Sequence, residues 1–158
     1  MATIKSPAVI AGSIVPDQPG CVLPSWGKWT YTDDGGGAVD DVIQMCPVPA
    51  SSRIIDILVE WSDGFDGSAT FDVGDGDDDD RFYAAVSNAT NDGRISLAGG
   101  TIGGTAIQEG PLTSMSGFGY TYDDADTIDI TTEGGAAATG DAFTMCVLYS
   151  VEHFFSDE

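Results

Sequence analysis

The stretch RIIDILVEW at residues 53–61 decides the class of fold. Ile and Val dominate it, and these β-branched residues favour strands because they pack well on a pleated surface. Asp63 and Gly64, which are typical of tight turns, follow it directly. Shorter apolar or alternating runs, bounded by Gly, Asp or Pro, lie on both sides of this strand. The further predicted strands are residues 28–32, 41–48, 68–73, 81–86, 94–97, 118–122, 127–131 and 142–151.

This spacing predicts an all-β, single-domain β-sandwich of roughly eight to ten short strands. A jelly roll is the preferred arrangement because it closes this many strands into two packed sheets. Neither a convincing amphipathic helix pattern nor an internal repeat is found. The acidic residues 123–126 separate two alternating runs, which predicts a hairpin turn between them.

The charge of the chain excludes several kinds of partner. Of 158 residues, 26 are acidic and only 5 are Lys or Arg, so the formal net charge is −21 at pH 7. Binding to DNA or RNA depends on Lys and Arg that displace counterions from phosphates, and this balance excludes it. The same charge opposes docking on an anionic membrane. Asp supplies 21 of the acidic residues and Gly a further 21 residues, which indicates tight turns rather than long helices.

Residues 1–27 differ from the rest of the chain because they carry isolated apolar side chains among four prolines. Proline lacks a backbone donor and interrupts regular ladders, so this region is predicted to be an extended N-terminal arm. One short strand is expected near residues 8–14. Such an arm either packs on its own domain or adds to the sheet edge of a neighbour. The predicted β-sandwich domain is then residues 28–158.

Cysteine usage and the N-terminus indicate folding in a reducing cytoplasm. Cys21, Cys46 and Cys146 are an odd number and cannot form a complete disulfide framework. Cys46 and Cys146 lie in apolar runs and are predicted to be buried, reduced thiols. The N-terminus has no continuous apolar region of a secretory signal, and no run is long enough to span a membrane.

The densest motif is DVGDGDDDDRF at residues 72–82. Its alternate Asp residues imitate the start of an EF-hand loop, but Asp80 stands where Gly is needed and Val86 where Glu is needed. Acidic runs more often form solvated loops, so no metal site and no cofactor are predicted. Arg81 is expected to tether the loop by pairing with one Asp. The predicted acidic loop comprises Asp75, Asp77, Asp78, Asp79 and Asp80.

No catalytic constellation stands out, and the chain is predicted not to be an enzyme. His153 is the only His, which argues against a His-based metal centre, and no GxSxG motif is present. The Gly-rich residues 99–104 lack the Lys of a phosphate loop and predict a flexible connection. Trp61 ends the strongest strand and is expected in the core. Sugar stacking or a partner contact remains open for Trp26 and Trp29, together with Tyr31.

Four segments carry a resemblance to a known group of proteins. They are DVIQM at residues 41–45, VPA at 48–50, RIID at 53–56, and FDVGD with the following DRF between residues 71 and 82. The run YTY at residues 120–122, DTIDI at 126–130 and the apolar run at 144–150 extend the pattern. The chain resembles small virion structural proteins of tailed bacteriophages, a group that looks like capsid decoration or cement proteins.

The resemblance implies a protein without catalytic residues that binds the outer surface of a phage head and stabilises it. Its expected partners are the major capsid protein and other copies of itself, with a trimer suiting local three-fold positions. A different virion component, such as a head-fibre base or tail protein, and a carbohydrate-binding β-sandwich module are the alternatives. The residues expected to contact the capsid are Ile4, Lys5, Val9, Ile10, Ile14, Trp26 and Trp29.

Overall fold

A computed structural model describes residues 2–10, 20–62, 69–87, 93–97 and 119–152. Several sequence predictions lie outside these ranges: the Gly-rich residues 99–104, Ile14, and the tail from His153 onward. No helix among the described residues is long and apolar enough to cross a membrane.

Ten strands and two single-turn helices make up the described structure, and their bounds are as follows. The strands are β1 Thr3–Lys5, β2 Val22–Thr30, β3 Val42–Val48, β4 Ser52–Trp61, β5 Thr70–Gly74, β6 Tyr83–Ser87, β7 Gly93–Ser96, β8 Thr121–Tyr122, β9 Asp126–Glu133 and β10 Ala142–Val151. The helices are α1 Pro7–Ile10 and α2 Tyr31–Asp34.

The strands form two sheets, which confirms the predicted all-β sandwich. Sheet A has the order β1-β3-β9-β5-β6, and sheet B has the order β2-β10-β4-β7, with β8 also pairing with β4. Every pairing is antiparallel except that of β1 with β3. Consecutive strands repeatedly alternate between the two sheets, and β10, the last described strand, lies beside the first strand of sheet B. The jelly roll stays a prediction with which this connectivity is compatible.

The core lies between the two sheets and is built from alternate residues of each strand. An aromatic series crosses it: the ring centroids of Trp29 and Phe143 are 5.9 Å apart, those of Phe143 and Phe71 5.1 Å, and those of Phe71 and Trp61 5.3 Å. The predicted core position of Trp61 is thereby confirmed. Further large, fully buried side chains are Tyr149, Phe82, Ile43, Met45, Ile54, Ile57, Ile128, Ile130 and Met145.

The arm differs from its prediction at both ends. In place of the strand expected at residues 8–14, the described part forms helix α1, because Pro7 suits a first helical position and the Ser6 hydroxyl accepts a bond from the Val9 amide at 3.4 Å. Residues 22–27, assigned to the arm, belong to β2. Pro24 is tolerated there because β2 is an edge strand, where a missing donor breaks no ladder between two neighbours.

Residues 3–5 of the arm form β1, which adds to the edge of β3 in the same chain. The Val42 amide donates to the Ala2 carbonyl and the Ser6 amide to the Gln44 carbonyl, both at 2.9 Å. The Ser6 hydroxyl, which is buried, also donates to the Met45 carbonyl at 2.7 Å. The arm therefore completes its own sheet in the single chain.

The predicted hairpin around residues 123–126 is wrong. β8 pairs with β4 in sheet B, whereas β9 pairs with β3 and β5 in sheet A, so the chain crosses from one sheet to the other at this point. An alternating pattern shows that a segment has one buried face. It does not show which of the two sheets the segment joins, because both sheets bury one face in the same core.

Replacing Phe71 with Ala is expected to lower the free energy of unfolding by about 3–5 kcal/mol, because Phe71 is fully buried between two aromatic rings. Leu58→Ala, at a strand position that is 39% exposed, is the matched control and is expected to change it by less than about 1 kcal/mol. Urea unfolding monitored by fluorescence measures both. Equal losses in the two variants would contradict this description of the core.

Candidate functional site

The acidic loop that follows β5 is organised around Asp75. Its carboxylate side chain is 1% exposed and accepts hydrogen bonds from the backbone amides of Asp77 at 3.1 Å and Asp78 at 3.0 Å. Arg81 donates to it through Nε at 2.5 Å, and the Tyr122 hydroxyl donates to it at 2.6 Å. The predicted tether by Arg81 is confirmed, and the guanidinium also lies 4.1 Å above the centroid of the Tyr120 ring.

These partners decide the ionisation of Asp75. Burial alone would raise its pKa, but the hydrogen bonds from Arg81, Tyr122 and the Asp77 amide outweigh burial and hold the pKa below its usual value. Asp75 is therefore an ionised, fully engaged group that fixes the loop to both sheets. Its oxygens are committed to the protein rather than free to hold a ligand.

Asp78, Asp79 and Asp80 form the exposed side of the same loop. Their carboxylate oxygens come within 4.8 Å of one another, a spacing that a cation could bridge. A hydrogen bond to the Asp78 side chain is the main cause that raises the pKa of Asp80, with burial and the charge of Asp78 adding to it. All three side chains are accessible to solvent, so the geometry is that of a solvated acidic loop.

The outer face of sheet B carries an exposed apolar strip, formed by Val22, Pro24, Trp26, Leu58 and Leu148. Val22 is 58% exposed, Trp26 61% and Leu58 39%, which are high values for large apolar side chains. Trp26 on β2 and Leu58 on β4 lie in one cross-strand row, on either side of Cys146 of β10. Pro24 and Leu148 occupy the next row. Side chains in such rows are direct neighbours, so the strip is continuous.

Basic side chains concentrate on this face. Lys28, Arg53 and Arg94 are three of the five Lys and Arg residues of the chain, and all three are exposed on the strands of sheet B. Arg53 pairs with Glu152 at 2.5 Å, and Arg94 lies 3.8 Å from Glu60. A groove of about 490 Å³ runs between Lys28, Glu60 and Arg94 at one end of the strip.

The outer face of sheet A has the opposite character. Asp72, Asp129 and Glu133 lie on β5 and β9, and the acidic loop continues from β5. Burial is the main cause that raises the pKa of Asp72, and the neighbouring charge of Glu133 adds to it. The two sheets therefore present an acidic side and a mixed, partly apolar side to solvent.

The structure separates the residues predicted to contact a capsid. Trp26 is exposed, but Trp29 is fully buried against Phe143, because two positions an odd number apart on a strand point to opposite faces. Trp29 is therefore not available for the predicted contact. Lys5 is exposed in β1, and Ile4 and Val9 are partly buried. The side chain of Ile10 and the whole of Ile14 lie outside the described residues.

Sequence reasoning missed Val22, Leu58 and Leu148. The continuous apolar run around Leu58 hides which residues face outward, whereas the alternating exposure along β2 was obscured by Pro24. A single-face apolar row becomes visible only once the register of β2, β10 and β4 is known.

Both buried thiols fit the predicted structural role. Burial raises the pKa of Cys46 strongly, and burial also raises that of Cys146. A thiol of raised pKa forms little thiolate, the nucleophilic form. The prediction that these two cysteines are buried is confirmed, and Cys21 is exposed.

Asp129 of β9 is a buried carboxyl group whose main perturbation is desolvation. It is 3% exposed, and burial raises its pKa to about 7; the nearby Thr127 side chain opposes this shift, and the charges of Asp126 and Asp75 add to it. Among the described residues, neither its Oδ1 atom nor the buried Oγ1 atom of Thr127 has a hydrogen-bond partner. Buried polar atoms without partners are uncommon in native structures.

Asp129→Asn is expected to change how stability depends on pH. The folded pKa of about 7 lies above the unfolded value near 4, so the cost of ionising the buried group is absent below about pH 4 and complete above about pH 7. The stability of the variant minus that of the wild type is expected to rise by roughly 2–4 kcal/mol from pH 4 to pH 8. Urea unfolding with a chelator present measures this difference. The exposed Asp124→Asn is the control, and a flat difference for Asp129→Asn would contradict the assignment.

Comparison with known proteins places this fold among chains of phage capsids. No protein-family model matches the sequence, and no curated protein matches it in sequence. The chain is similar to a chain of the capsid of Ralstonia phage GP4, with 18% identity, a TM-score of 0.64 and coverage of 97% of this chain and 100% of that one.

Two further capsid structures contain similar chains. In the cyanophage Pam1 capsid asymmetric unit, the similar chain has 18% identity, a TM-score of 0.57 and coverage of 92% of this chain and 99% of that one. In the acidic stable capsid structure of Helicobacter pylori bacteriophage KHP30, the values are 10%, 0.50, 86% and 92%. The chain thus shares its fold, over nearly its whole length, with chains found in three phage capsids.

Proposed function

We propose that the chain is a non-enzymatic virion structural protein of a tailed phage that binds the outer surface of the head and stabilises the capsid. The observation that best supports this proposal is the structural similarity to chains in three phage capsid structures, each matched over 92% or more of its own length. The matched chains are therefore whole small proteins of a size comparable to this one, rather than single domains of a large shell protein. Decoration or cement proteins have this size and role.

The apolar strip on sheet B is the proposed contact with the major capsid protein. A partner that covers it removes Val22, Trp26 and Leu58 from water, and exposed contiguous apolar surface of this kind marks interaction sites. Trp is enriched among the residues that dominate binding energy. Lys28 and Arg94 at the edge of the strip supply polar contacts around an apolar centre.

Charge favours the same orientation. With sheet B towards the shell, the acidic loop and the half-buried Glu133 of sheet A face solvent. An overall charge of −21 is repelled by packaged DNA, which suits a position outside the shell, and it steers the protein to basic patches on the capsid. Binding across adjacent subunits stabilises the assembled state by mass action.

The arm and the oligomeric state complete the proposal. We also propose that the arm makes contacts in the assembled particle. These residues reach the shell beside the strip or contact a second copy, and they are Ile4, Lys5, Val9, Ile10 and Ile14. A homotrimer at local three-fold positions is proposed from the role, since closed symmetric assemblies are the rule for such parts.

Trp26→Ala is expected to weaken binding to heads of the phage that encodes the protein by roughly 30-fold, the effect of losing a central aromatic anchor. Co-sedimentation with emptied heads at increasing protein concentration measures the affinity, and light scattering of the free protein measures its molar mass. Val39→Ala is the matched control because Val39 is 45% exposed and apolar but lies outside the strip. Both variants are expected to keep the wild-type unfolding midpoint.

Three results would overturn the proposal or part of it. Wild-type protein that never sediments with heads would exclude decoration and direct attention to a tail or fibre position. Equal binding by Trp26→Ala and wild type would exclude the strip as the contact. Binding to glycans would favour a carbohydrate-binding module, although the buried Trp29 leaves only Trp26 and Tyr31 of the three suggested aromatic residues for stacking.

A further inference from the structure

The first half of β9 places two buried oxygens side by side without partners. Thr127 and Asp129 are two positions apart, so their side chains share one face of the strand, and the fully buried Ile128 and Ile130 occupy the core face. Thr127 Oγ1 and Asp129 Oδ1 therefore both project from the outer face of sheet A. They are buried there and have no hydrogen-bond partner among the described residues.

The neighbours of Asp129 explain why an outward-facing carboxylate is buried. Gln44 of β3 lies opposite it on one side and Gly74 of β5 on the other. A Cβ atom at Gly74 would collide with the backbone of Asp78 and Asp79, so the acidic loop lies directly on that glycine. The loop covers the position next to Asp129 and shields it from water.

A cleft that is open to solvent lies beside this position. A cleft of about 470 Å³ is lined by Gln44, Pro47, Val48, Pro49, Ala125, Asp126 and Thr127. It therefore reaches Thr127 and Gln44, which lie next to Asp129 along the strand and across it. Asp126 also stands in its lining, although its position in β9 has the parity of the core-facing Ile128 and Ile130.

The local charge also favours a cation. Burial raises the pKa of Asp129, the adjacent Thr127 side chain lowers it, and the charges of Asp126 and Asp75 raise it further. Arg81 is paired with Asp75 at 2.5 Å and lies above the Tyr120 ring. Lys5, two strands from Asp129 in the row that runs through Gln44, is the exposed basic residue on this face. Asp129 thus has two carboxylates, Asp126 and Asp75, among its neighbours, and its Oδ1 atom has no hydrogen-bond partner among the described residues.

We propose that this site binds a divalent cation, Ca²⁺, held by the Asp129 carboxylate and the Thr127 hydroxyl. Gln44, opposite Asp129 on β3, can add its amide oxygen, and water from the cleft completes the coordination. All these donors are oxygens, the ligands that Ca²⁺ takes in sets of about six to eight with flexible geometry. The site is distinct from the exposed Asp78–Asp79–Asp80 group, whose solvated carboxylates carry no such buried orphan oxygen.

The test is calcium titration of chelator-treated full-length protein by calorimetry at pH 7.5. Wild type is expected to bind one Ca²⁺ per chain. Asp129→Asn, which keeps the shape and removes the charge, is expected to weaken binding at least tenfold, and Thr127→Val, which removes only the hydroxyl, roughly threefold or more. Asp124→Asn, an exposed acid of the preceding turn, and a variant with Asn at positions 78, 79 and 80 are the controls and are expected to bind as wild type does.

Thermal unfolding gives an independent readout. At about one hundred times the dissociation constant, Ca²⁺ is expected to raise the midpoint of the wild type by roughly 5–10 °C and to leave Asp129→Asn unchanged. An unchanged wild-type midpoint together with a more stable Asp129→Asn would show that the group holds only a proton, and would overturn the proposal. Loss of binding in the variant at positions 78–80, with binding kept in Asp129→Asn, would overturn it in favour of the exposed loop.

Discussion

The position of β10 between β2 and β4 is the constraint on which the rest of the structure depends. The strand pairs along its length with β2 on one side and β4 on the other, so the centre of sheet B is made by the last described strand of the chain. Its inward residues Phe143 and Tyr149 fill the core, while Cys146 and Leu148 complete the outer face. Both the core and the strip therefore form only when distant parts of the chain meet, a topology associated with slow folding.

The two outer faces follow from one uneven distribution of charge. An acidic chain with few basic residues places three of its five Lys and Arg on sheet B, where they accompany Asp56 and Glu60 of β4. Several carboxylates lie on β5 and β9 of sheet A. Two of them, Asp72 and Asp129, are buried, and burial raises their pKa. A particle with such sides can bind through one face while the other keeps it soluble.

The sequence was enough to predict most strands and the sandwich, because apolar alternation and turn residues report on burial within one segment. It did not predict which strands pair. The runs on either side of residues 123–126 looked like a hairpin because alternation carries no information about the partner sheet. Trp26 and Trp29 looked equivalent until β2 had a register. The unpartnered oxygens of Thr127 and Asp129 are properties of three-dimensional packing and have no signature in the sequence.

The way in which the sheets end has a consequence for crowding on a surface. An open strand edge is a template for edge-to-edge polymerisation. Sheet A ends in β1, which has three residues and is followed by Ser6 and Pro7, and in β6, which has five. Sheet B ends on the β4 side in β7 and β8, which have four and two residues, and on the other side in β2, a nine-residue edge where Pro24 removes a donor. Many copies can therefore stand close together without their sheets fusing into fibres.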